Sequence, residues 1–404
     1  MLLKRFIDCH KGGVAPMLAL AALPLFGFVG AAVDFSRAAS VRTSMQTALD
    51  ATVLMLAKDT QTQSDEQFSA SFTSYFNSNF SHPDISNLNV TASKSSSIVT
   101  ASATGVVAHR FMGLIGLSAM NVAVHAKAEA TADGLGCVLS LHPHAPGATT
   151  GQGSTGVLLN GCSLYDNSDS VTALTVGGSA HITAYSVGVV GKVSGEENIT
   201  TTQGIRTGMG IVKDPYAAAS YPAFFGCTEQ NFTAKNDITI DPGVYCNGIT
   251  VHSGAVLTLN PGIYYLDGGS LTVNGGATLT GVGVTLVFTK KNKNDYATAS
   301  INGNATINLK PPNYGSTAGI VIFGDRQMPV GTSFKFNGGA EQYLGGAIYV
   351  PTGEVSFSGG SSTSTSCTQL IAGTVIFTGN SNFALNCANY GTKPFSPTIV
   401  RLMS

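Results

Sequence analysis

The sequence predicts a mainly β protein whose N-terminal part is α+β, and three observations predict this fold class. One long uncharged apolar run lies near the N-terminus, the apolar spacing then changes from a helical period to strict alternation, and a glycine-rich phrase recurs through the later part of the chain. We therefore expect one N-terminal transmembrane helix continuing into a stalk helix, a small α+β unit, and a C-terminal parallel β-helix. A β-sandwich is the alternative for the last part.

The first element is the uncharged run 14–33, which is about 20 residues long and can cross a bilayer core of about 30 Å. Basic residues precede it, so the positive-inside rule predicts a cytoplasmic tail at 1–13 and a single pass outward. A cleavable secretory signal, with Gly30 and Ala32 as the small residues before the cut, is the alternative. Both interpretations place the bulk of the chain outside the cytoplasm.

The second region, 34–133, should begin with two helices. Apolar residues recur every three or four positions over 34–59, which predicts a stalk helix that continues the membrane span outward. Another helix is expected over 65–79. Its start is marked by an S-x-x-Q capping box, in which Ser64 is the N-cap and Gln67 reaches back to it.

The same region should end in a small antiparallel sheet. Apolar and polar residues alternate over 88–92, 98–107 and 121–131, which predicts three strands, the first two joined by a hairpin. A short apolar segment, 110–117, interrupts the alternation before the third strand.

The cysteines predict local disulfides. Cys9 lies alone before the membrane span, where cytosolic reductants would keep it a thiol. The other six fall on the exported side in close sequential couples, and the most economical pairing closes three loops of about 20 residues, each stabilising by perhaps 3 kcal/mol. The couples are Cys137 with Cys162, Cys227 with Cys246, and Cys367 with Cys387.

The N-terminal 50 residues carry a distinctive pattern: a basic residue and a glycine before the apolar span, then V-D-F-S-R, then a helix carrying M-Q-x-A-L-D-A. The residues of this pattern are Lys11, Gly12, Val33, Asp34, Phe35, Ser36, Arg37, Met45, Gln46, Ala48, Leu49, Asp50 and Ala51. In this pattern the segment resembles the TadG-like proteins of the Tad (tight adherence, Flp-type) pilus-assembly system. The resemblance implies a role in assembling or anchoring pili, with other pilus-assembly proteins as partners.

Two features of related proteins do not carry over. Relatives that are processed like prepilins have a Glu five residues after the cut, whereas Leu18 stands there after Gly13, so such processing is not expected. Some TadG-like proteins also have a von Willebrand A domain with a D-x-S-x-S metal motif. The string formed by Asp166, Ser168 and Ser170 matches it, but a turn precedes it and no βαβ alternation follows, so we interpret it as a coincidence.

The region 134–404 repeats itself. An aliphatic or aromatic residue, small turn-forming residues and then alternation recur, and from Val251 onward the interval is 20 to 35 residues. Short strands and tight turns that repeat near 20 residues are typical of a parallel β-helix. The residues that open the phrase are Val176, Val251, Val273, Ile301, Phe336, Phe357 and Phe377. Any helix in this region should be a short piece over 216–221.

The chemistry-bearing residues predict a protein without an enzymatic site. Only 11% of residues are charged and the net charge is −1, so no basic surface exists for nucleic acid. The sparse acids do not recur as the carboxylate pair that a polysaccharide-cleaving β-helix needs, and several stand before turns. Metal-ligand spacings and cofactor fingerprints are also missing from the sequence, so we expect no catalytic residue, metal or cofactor.

The sequence therefore predicts a membrane-anchored structural or accessory protein of Tad (Flp-type) pilus assembly that contributes to surface adhesion. It should be a single-pass protein of the bacterial inner membrane, with the bulk of the chain in the periplasm or at the cell surface. The alternative is a surface adhesin or glycan-binding β-helix protein independent of pili, with surface glycans as its partner. A polysaccharide-degrading β-helix enzyme ranks third.

Overall fold

A computed structural model describes residues 14–58, 63–290, 295–337, 342–358, 367–385, 387 and 389–403. The predicted tail 1–13, with Cys9 and Gly12, lies outside these ranges. Strands hold 47% of the residues and helices 16%, so the predicted mainly β composition is confirmed. The chain forms two compact units: the first combines the residues up to Thr131 with those from Thr398 onward, and the second is Ala132–Pro397.

The first unit begins with two helices, α1 (Val14–Ala57) and α2 (Asp65–Asn79). The apolar run and the expected stalk are thus one continuous helix. The predicted capping box is present at α2, because the Ser64 hydroxyl accepts from the Gln67 backbone N–H and the Gln67 side chain accepts from the Ser64 N–H. These two bonds satisfy donors that the first helical turn leaves without a partner.

The helices pack on three antiparallel strands, β1 (Ile85–Ser95), β2 (Ile98–Ala108) and β3 (Ala119–Ala132). Alternate residues of β2 point inward, as the period-2 pattern predicts. The strands and both helices share one core. α1 contributes buried side chains at helical spacing, and α2 contributes a stripe of aromatic rings. These residues are Val41, Met45, Leu49 and Val53 of α1 and Phe68, Phe72 and Phe76 of α2.

The second unit is built from two runs of strands separated by residues 207–228. The first run comprises β4 (Gly136–Ser140), β5 (Thr149–Gly151), β6 (Gly156–Asn160), β7 (Ser163–Asp166), β8 (Leu174–Val176), β9 (His181–Ala184), β10 (Val187–Val189), β11 (Val193–Ser194), β12 (Ile199–Thr201) and β13 (Ile205–Arg206). A short 3-10 turn, Glu196–Asn198, precedes β12.

The second run has longer strands, and its next-to-last strand lies beside β4, the first strand of the first run. It comprises β14 (Glu229–Ala234), β15 (Ile238–Ile240), β16 (Gly243–Val251), β17 (Val256–Leu259), β18 (Gly262–Val273), β19 (Thr278–Val282), β20 (Val284–Thr289), β21 (Thr298–Ile301), β22 (Thr306–Lys310), β23 (Ile320–Gly324), β24 (Ser333–Asn337), β25 (Gln342–Leu344), β26 (Gly346–Ser358), β27 (Thr368–Phe377) and β28 (Ser381–Ala384).

These strands form three sheets: a 16-stranded sheet, a five-stranded sheet in the order β15-β17-β19-β22-β25, and a four-stranded sheet in the order β12-β9-β6-β28. The path through the large sheet is β13-β10-β7-β4-β27-β26-β23-β20-β18-β16-β14. Within the described ranges of this unit, each ladder between named strands is parallel. Strands such as β6 and β22 bury alternate residues, so one face of these sheets points into the core and the other is more exposed.

The repeated phrase of the sequence corresponds to one ladder in the large sheet. Its opening residues are paired directly with one another, in the order Val251, Val273, Ile301, Phe336, Phe357 and Phe377. The ladder continues from Phe377 to Gly151 and then to Val176. Each repeat therefore places one apolar side chain above the preceding one, and the core of the unit follows this stack.

The strand order of the large sheet is interrupted halfway along the chain. β27 lies between β26 and β4, so the first run extends away from β27 to one edge of the sheet, and the second run starts at the other edge and returns. The crossing segment, residues 207–228, must therefore connect β13 at one edge with β14 at the opposite edge. Both runs advance in the same direction along the sheet, and the repeat pattern contains no signal of the jump between its edges.

The crossing segment lies against the large sheet and is held there by polar contacts. The Tyr349 hydroxyl donates to the Asp214 carboxylate at 2.7 Å, and the Tyr216 hydroxyl donates to the Gln369 side chain at 3.0 Å. The Arg326 guanidinium donates to the Tyr216 carbonyl at 2.6 Å. The short helix predicted over 216–221 is wrong: the chain forms a turn over 215–218, and Arg326, just after β23, binds the carbonyls of Tyr216 and Ala219.

The last strand, β29 (Thr398–Leu402), joins β3 in the first unit. Val400 packs against the first core, and Arg401 forms an ion pair with Glu129 at 3.1 Å. The sequence predicts that these residues belong to the repeat domain over 134–404, whereas the structure assigns them to the first unit. Strand pairing over such a sequence separation has no local signature.

Candidate functional site

The first half of α1 is apolar and exposed, and the second half is packed. Met17, Leu20 and Phe28 are 74%, 74% and 77% exposed, whereas Val41 and Met45 are completely buried. In the described part of the chain, α1 is the one helix long and apolar enough to cross a membrane. The transition between the two halves lies at the V-D-F-S-R motif, and we therefore consider this motif the candidate functional site.

Asp34 is the centre of the motif. Its side chain is 1% exposed and accepts hydrogen bonds from the backbone N–H groups of Arg110, Phe111 and Met112 at 2.9, 2.9 and 2.8 Å. A 3-10 turn, Met112–Ile115, begins at this point, so the carboxylate satisfies the donors at the start of the turn. Burial raises the pKa of Asp34, but the three N–H donors outweigh it and lower the pKa to about 2.

Gly30 lies one helical turn before Asp34 and is also in contact with the 3-10 turn. A Cβ atom added at Gly30 would lie 2.6 Å from the Cβ of Phe111, closer than side-chain carbons approach. The absence of a side chain at this position thus lets the segment around Phe111 pack directly on α1. Gly30 was considered in the sequence only as a residue before a signal cut, and its packing role could not be read there.

Arg37 connects α1 with the beginning of the sheet. Its guanidinium forms a charge-assisted hydrogen bond with the Asp84 carboxylate and donates to the Ala108 carbonyl at 3.4 Å. It also lies 3.6 Å from the Asp34 carboxylate. The hydrogen bond from Arg37 is the main reason that the pKa of Asp84 is lowered, against the effect of burial.

The remaining motif residues divide into packed and exposed ones. Gln46 donates to the Asp50 carboxylate at 2.7 Å and to the His125 carbonyl at 2.9 Å, which fixes α1 to β3. Ala48 and Leu49 are buried in the core. The exposed members are Val33, Phe35 and Ser36. The motif therefore serves to hold α1 on the sheet and to position the segment that follows β2.

In the second unit, each of the six cysteines is bonded to the neighbour along the sequence with which it was expected to pair. The structure contains the disulfides Cys137–Cys162, Cys227–Cys246 and Cys367–Cys387. Cys227 and Cys246 join the end of the crossing segment to β16. Cys137 and Cys162 lie beside the first strands of the first run. Each bridge closes a local loop, as expected from the spacing.

The D-x-S-x-S string lies at the end of β7, and its groups bond within the turn. The Ser168 N–H donates to Asp166 Oδ1 at 2.9 Å, and the Ser168 hydroxyl donates to the Ala145 carbonyl at 2.6 Å. The Ser170 N–H donates to the Ser168 hydroxyl at 3.2 Å. No described group of three or more His, Cys, Asp or Glu side chains could hold a metal ion. Here the motif is a turn that places one carboxylate, 1% exposed, in the interior.

The buried Asp166 carboxyl should make the stability of the second unit depend on pH. Burial raises its pKa to about 6, although hydrogen bonds from Ser168 and Thr149 oppose the shift. A raised folded-state pKa contributes stability that is present below about pH 4 and lost as the pH rises through about 6. We expect Asp166→Asn, which stays neutral, to be more stable than the wild type at pH 7.5 by about 3 kcal/mol, and most of this gain should be lost at pH 4.

Urea denaturation at the two pH values measures this difference. Asp169→Asn is the control, because Asp169 lies in the same turn with its side chain 59% exposed, and its exposed pair with His144 at 3.0 Å should contribute less than about 1 kcal/mol. A gain for Asp166→Asn that is equal at both pH values would contradict the assignment of the effect to the buried charge.

The sequence identifies the V-D-F-S-R motif but not the groups that its side chains bind. The segment 110–117 is visible in the sequence as an apolar interruption between two strands, yet nothing there connects it with Asp34, which lies 76 residues before Arg110. One signal was available: an acidic residue directly after an apolar run requires donors if it is buried. Asp84 carries no such signal.

The comparisons with known proteins agree with the position of this site. Residues 12–57 match the family model described as "Putative Flp pilus-assembly TadE/G-like". Neither a curated protein nor a solved structure matches the chain. The matched segment contains the apolar run, the V-D-F-S-R motif and the packed part of α1. Residues 12–57 of this chain are therefore similar to the putative Flp pilus-assembly TadE/G-like family, in agreement with the resemblance to TadG-like proteins.

Proposed function

We propose that this protein is a membrane-anchored accessory protein of Tad (Flp-type) pilus assembly that contributes to surface adhesion. The observation that supports this most strongly is the match of the TadE/G-like model to α1, the helix whose first half is apolar and exposed. An exposed apolar surface of this size is unfavourable in water and suits a lipid environment. The motif that follows then positions the rest of the first unit directly beside the anchor.

We further propose that the protein spans the bacterial inner membrane once, with a cytoplasmic N-terminus and both units in the periplasm or at the cell surface. The three disulfides support export, because disulfides persist in oxidising compartments. The partners that this location suggests are other pilus-assembly proteins.

For the second unit, a parallel β-helix is the architecture that we favour. Three parallel sheets and a ladder in which the repeated residues pair in order support it. A β-sandwich consists of antiparallel sheets, which do not suit these ladders. In such a protein the second unit would act as a presented surface without enzymatic activity. Two of its acids already accept hydrogen bonds from tyrosines: Asp214 from Tyr349 and Asp325 from Tyr221.

The alternative function, a glycan-binding adhesin, is supported by one groove. A cavity of about 650 Å³ lies where β18, β19 and β22 turn, and its lining includes Pro261, Lys310, Asn313, Tyr314 and Tyr390. Tyr314 is 80% exposed. Tyrosine rings provide flat apolar surfaces, and amide and ammonium groups can bond to hydroxyls, a combination that suits a sugar.

Deletion of the gene tests the pilus function. We expect the deletion strain to lack surface pili in electron micrographs, and complementation with the wild-type chain to restore them. Complementation with Tyr314→Ala should restore pili equally well, because Tyr314 lies in the groove and not in the TadE/G-like domain. Attachment of cells to a surface is measured in parallel.

The two functions give different results in these strains. Normal pili in the deletion strain, together with reduced attachment, would contradict the pilus function and favour the adhesin. In that case Tyr314→Ala should fail to restore attachment. Release of sugar from polysaccharide by the purified protein would instead favour the enzyme.

A further inference from the structure

A short apolar loop lies beside the exposed part of α1. This loop, residues 110–117, has the sequence RFMGLIGL. Phe111 and Leu117 are 50% and 51% exposed, although both side chains are large and apolar. Met112 is half-buried, so Phe111 and Leu117 are the described side chains by which the loop presents apolar surface.

The loop has a defined conformation. The Leu117 N–H donates to the Met112 carbonyl at 3.1 Å, and the His109 N–H donates to the Ser118 carbonyl at 3.0 Å, which closes the ends. Gly116 has φ +90°, a left-handed value that glycine adopts without strain. The loop therefore presents its apolar side chains from a fixed backbone, and their exposure is not the result of fraying.

Its position along α1 is set by two contacts. Asp34 binds the N–H groups of Arg110, Phe111 and Met112, and Gly30 contacts Phe111. Gly30 lies three residues before the end of the apolar run at Val33, which is about 4.5 Å along the helix axis. The Phe111 ring is therefore level with the last turn of the apolar run.

Charged groups surround the loop on the side of the motif. Arg110 has a side chain that is 71% exposed, and its guanidinium lies 3.7 Å from the Asp84 carboxylate. Arg37 is bonded to the same carboxylate with its side chain 21% exposed, whereas the exposed Arg110 borders the apolar tip. An apolar tip with an exposed arginine suits the interface between lipid headgroups and acyl chains, where the arginine can reach a phosphate.

We propose that the loop 110–117 inserts Phe111 and Leu117 into the outer leaflet of the same bilayer that α1 crosses, as a second membrane contact. The inference rests on the proposed membrane span. The bilayer is the occupant that the structure favours, because the loop continues the exposed apolar surface of α1 at the same level, and a membrane that surrounds the helix must also meet the loop. Two contacts would fix the rotation and tilt of the first unit on the membrane, which one helix alone does not.

Single tryptophans test this, since the chain contains none. The full chain carrying Phe111→Trp is reconstituted in vesicles of phosphatidylcholine and phosphatidylglycerol, with and without lipids brominated near the top of the acyl chains. Because bromine quenches tryptophan only on contact, we expect the emission to fall roughly twofold in the brominated vesicles, as for a side chain buried about 5–10 Å in the interface. Leu117→Trp should behave in the same way and provides a second reporter if Phe111→Trp does not fold.

Two positions on α1 serve as matched controls. Phe28→Trp, at a side chain 77% exposed in the apolar run, reports whether the helix spans the bilayer. Met55→Trp, at a side chain 49% exposed, lies 22 residues beyond Val33 on the same helix, about 33 Å away, and should not be quenched.

The outcomes separate the two proposals. Quenching at 28 and at 111 or 117, without quenching at 55, supports the second contact. Quenching at 28 but at neither loop position would overturn it and leave the anchor intact; the loop would then be free for a protein partner. A lack of quenching at 28 would overturn the membrane span itself, and the second contact with it.

Discussion

Replacement of Asp34 by asparagine should lower the thermal midpoint of the first unit by roughly 10 °C, because three backbone N–H donors lose their charged acceptor together. An asparagine has the same shape but offers one oxygen and places an amino group against at least one donor. The loop 110–117 would then lose its fixed position on α1. Hydrogen exchange measured by mass spectrometry should show the amides of Arg110, Phe111 and Met112 exchanging faster in Asp34→Asn than in the wild type.

The same substitution should have a defined pH dependence. The folded-state pKa of Asp34 is lowered to about 2, so its contribution to stability is present above the unfolded pKa near 3.8 and is lost as the pH falls through 2. The difference in midpoint between the wild type and Asp34→Asn should therefore be constant from about pH 5 upward and decrease towards pH 2.

Ser36→Ala is the control from the same motif, because Ser36 is exposed. It should change the midpoint by little, and the exchange of the three amides should be unchanged. Equal effects of Ser36→Ala and Asp34→Asn would mean that the motif acts through the helix and not through the carboxylate. A pH-independent effect of Asp34→Asn would contradict the role of its charge.

The first unit shows what local sequence signals can predict. The capping box at Ser64 and Gln67 and the alternation over 98–107 concern residues close in sequence, and the structure contains the corresponding helix and strand. The partners of Asp34 depend on the way a loop 76 residues later folds back, for which composition and periodicity carry no information. The motif can be recognised from its resemblance to the family, but the hydrogen bonds that it forms are visible only in the structure.

The second unit shows the same limit on a larger scale. The repeated phrase predicted which residues stack, and Val251 to Phe377 do pair in order. The position of β27 between β26 and β4 was not predictable, because the repeats share one phrase and nothing in that phrase specifies which strand lies beside which. The crossing segment does not form the predicted helix, for a related reason. Its backbone groups bond to side chains such as Arg326, which lies far away in sequence.

That stack provides the second large effect. Replacement of Phe357 by alanine should destabilise the second unit by about 3–5 kcal/mol, because it opens a cavity in the middle of an aromatic column. Phe357 is 4% exposed, and its ring lies 5.0 Å from that of Phe336 and 6.3 Å from that of Phe377. The Phe383 ring meets it edge-on at 5.6 Å. Urea denaturation followed by circular dichroism measures the loss as a lower midpoint concentration.

The position of Phe357 in the ladder explains why the structure cannot easily repair the cavity. Its neighbours along the column belong to separate strands that are fixed by their own hydrogen bonds, so collapse around a missing ring would require several strands to shift together. Val330→Ala is the control, since Val330 is 68% exposed in the same unit and its truncation should change the free energy of unfolding by less than about 0.5 kcal/mol. If Phe357→Ala costs no more than Val330→Ala, the aromatic column does not hold the repeats together, and the stability of the unit must come from its backbone ladders and disulfides.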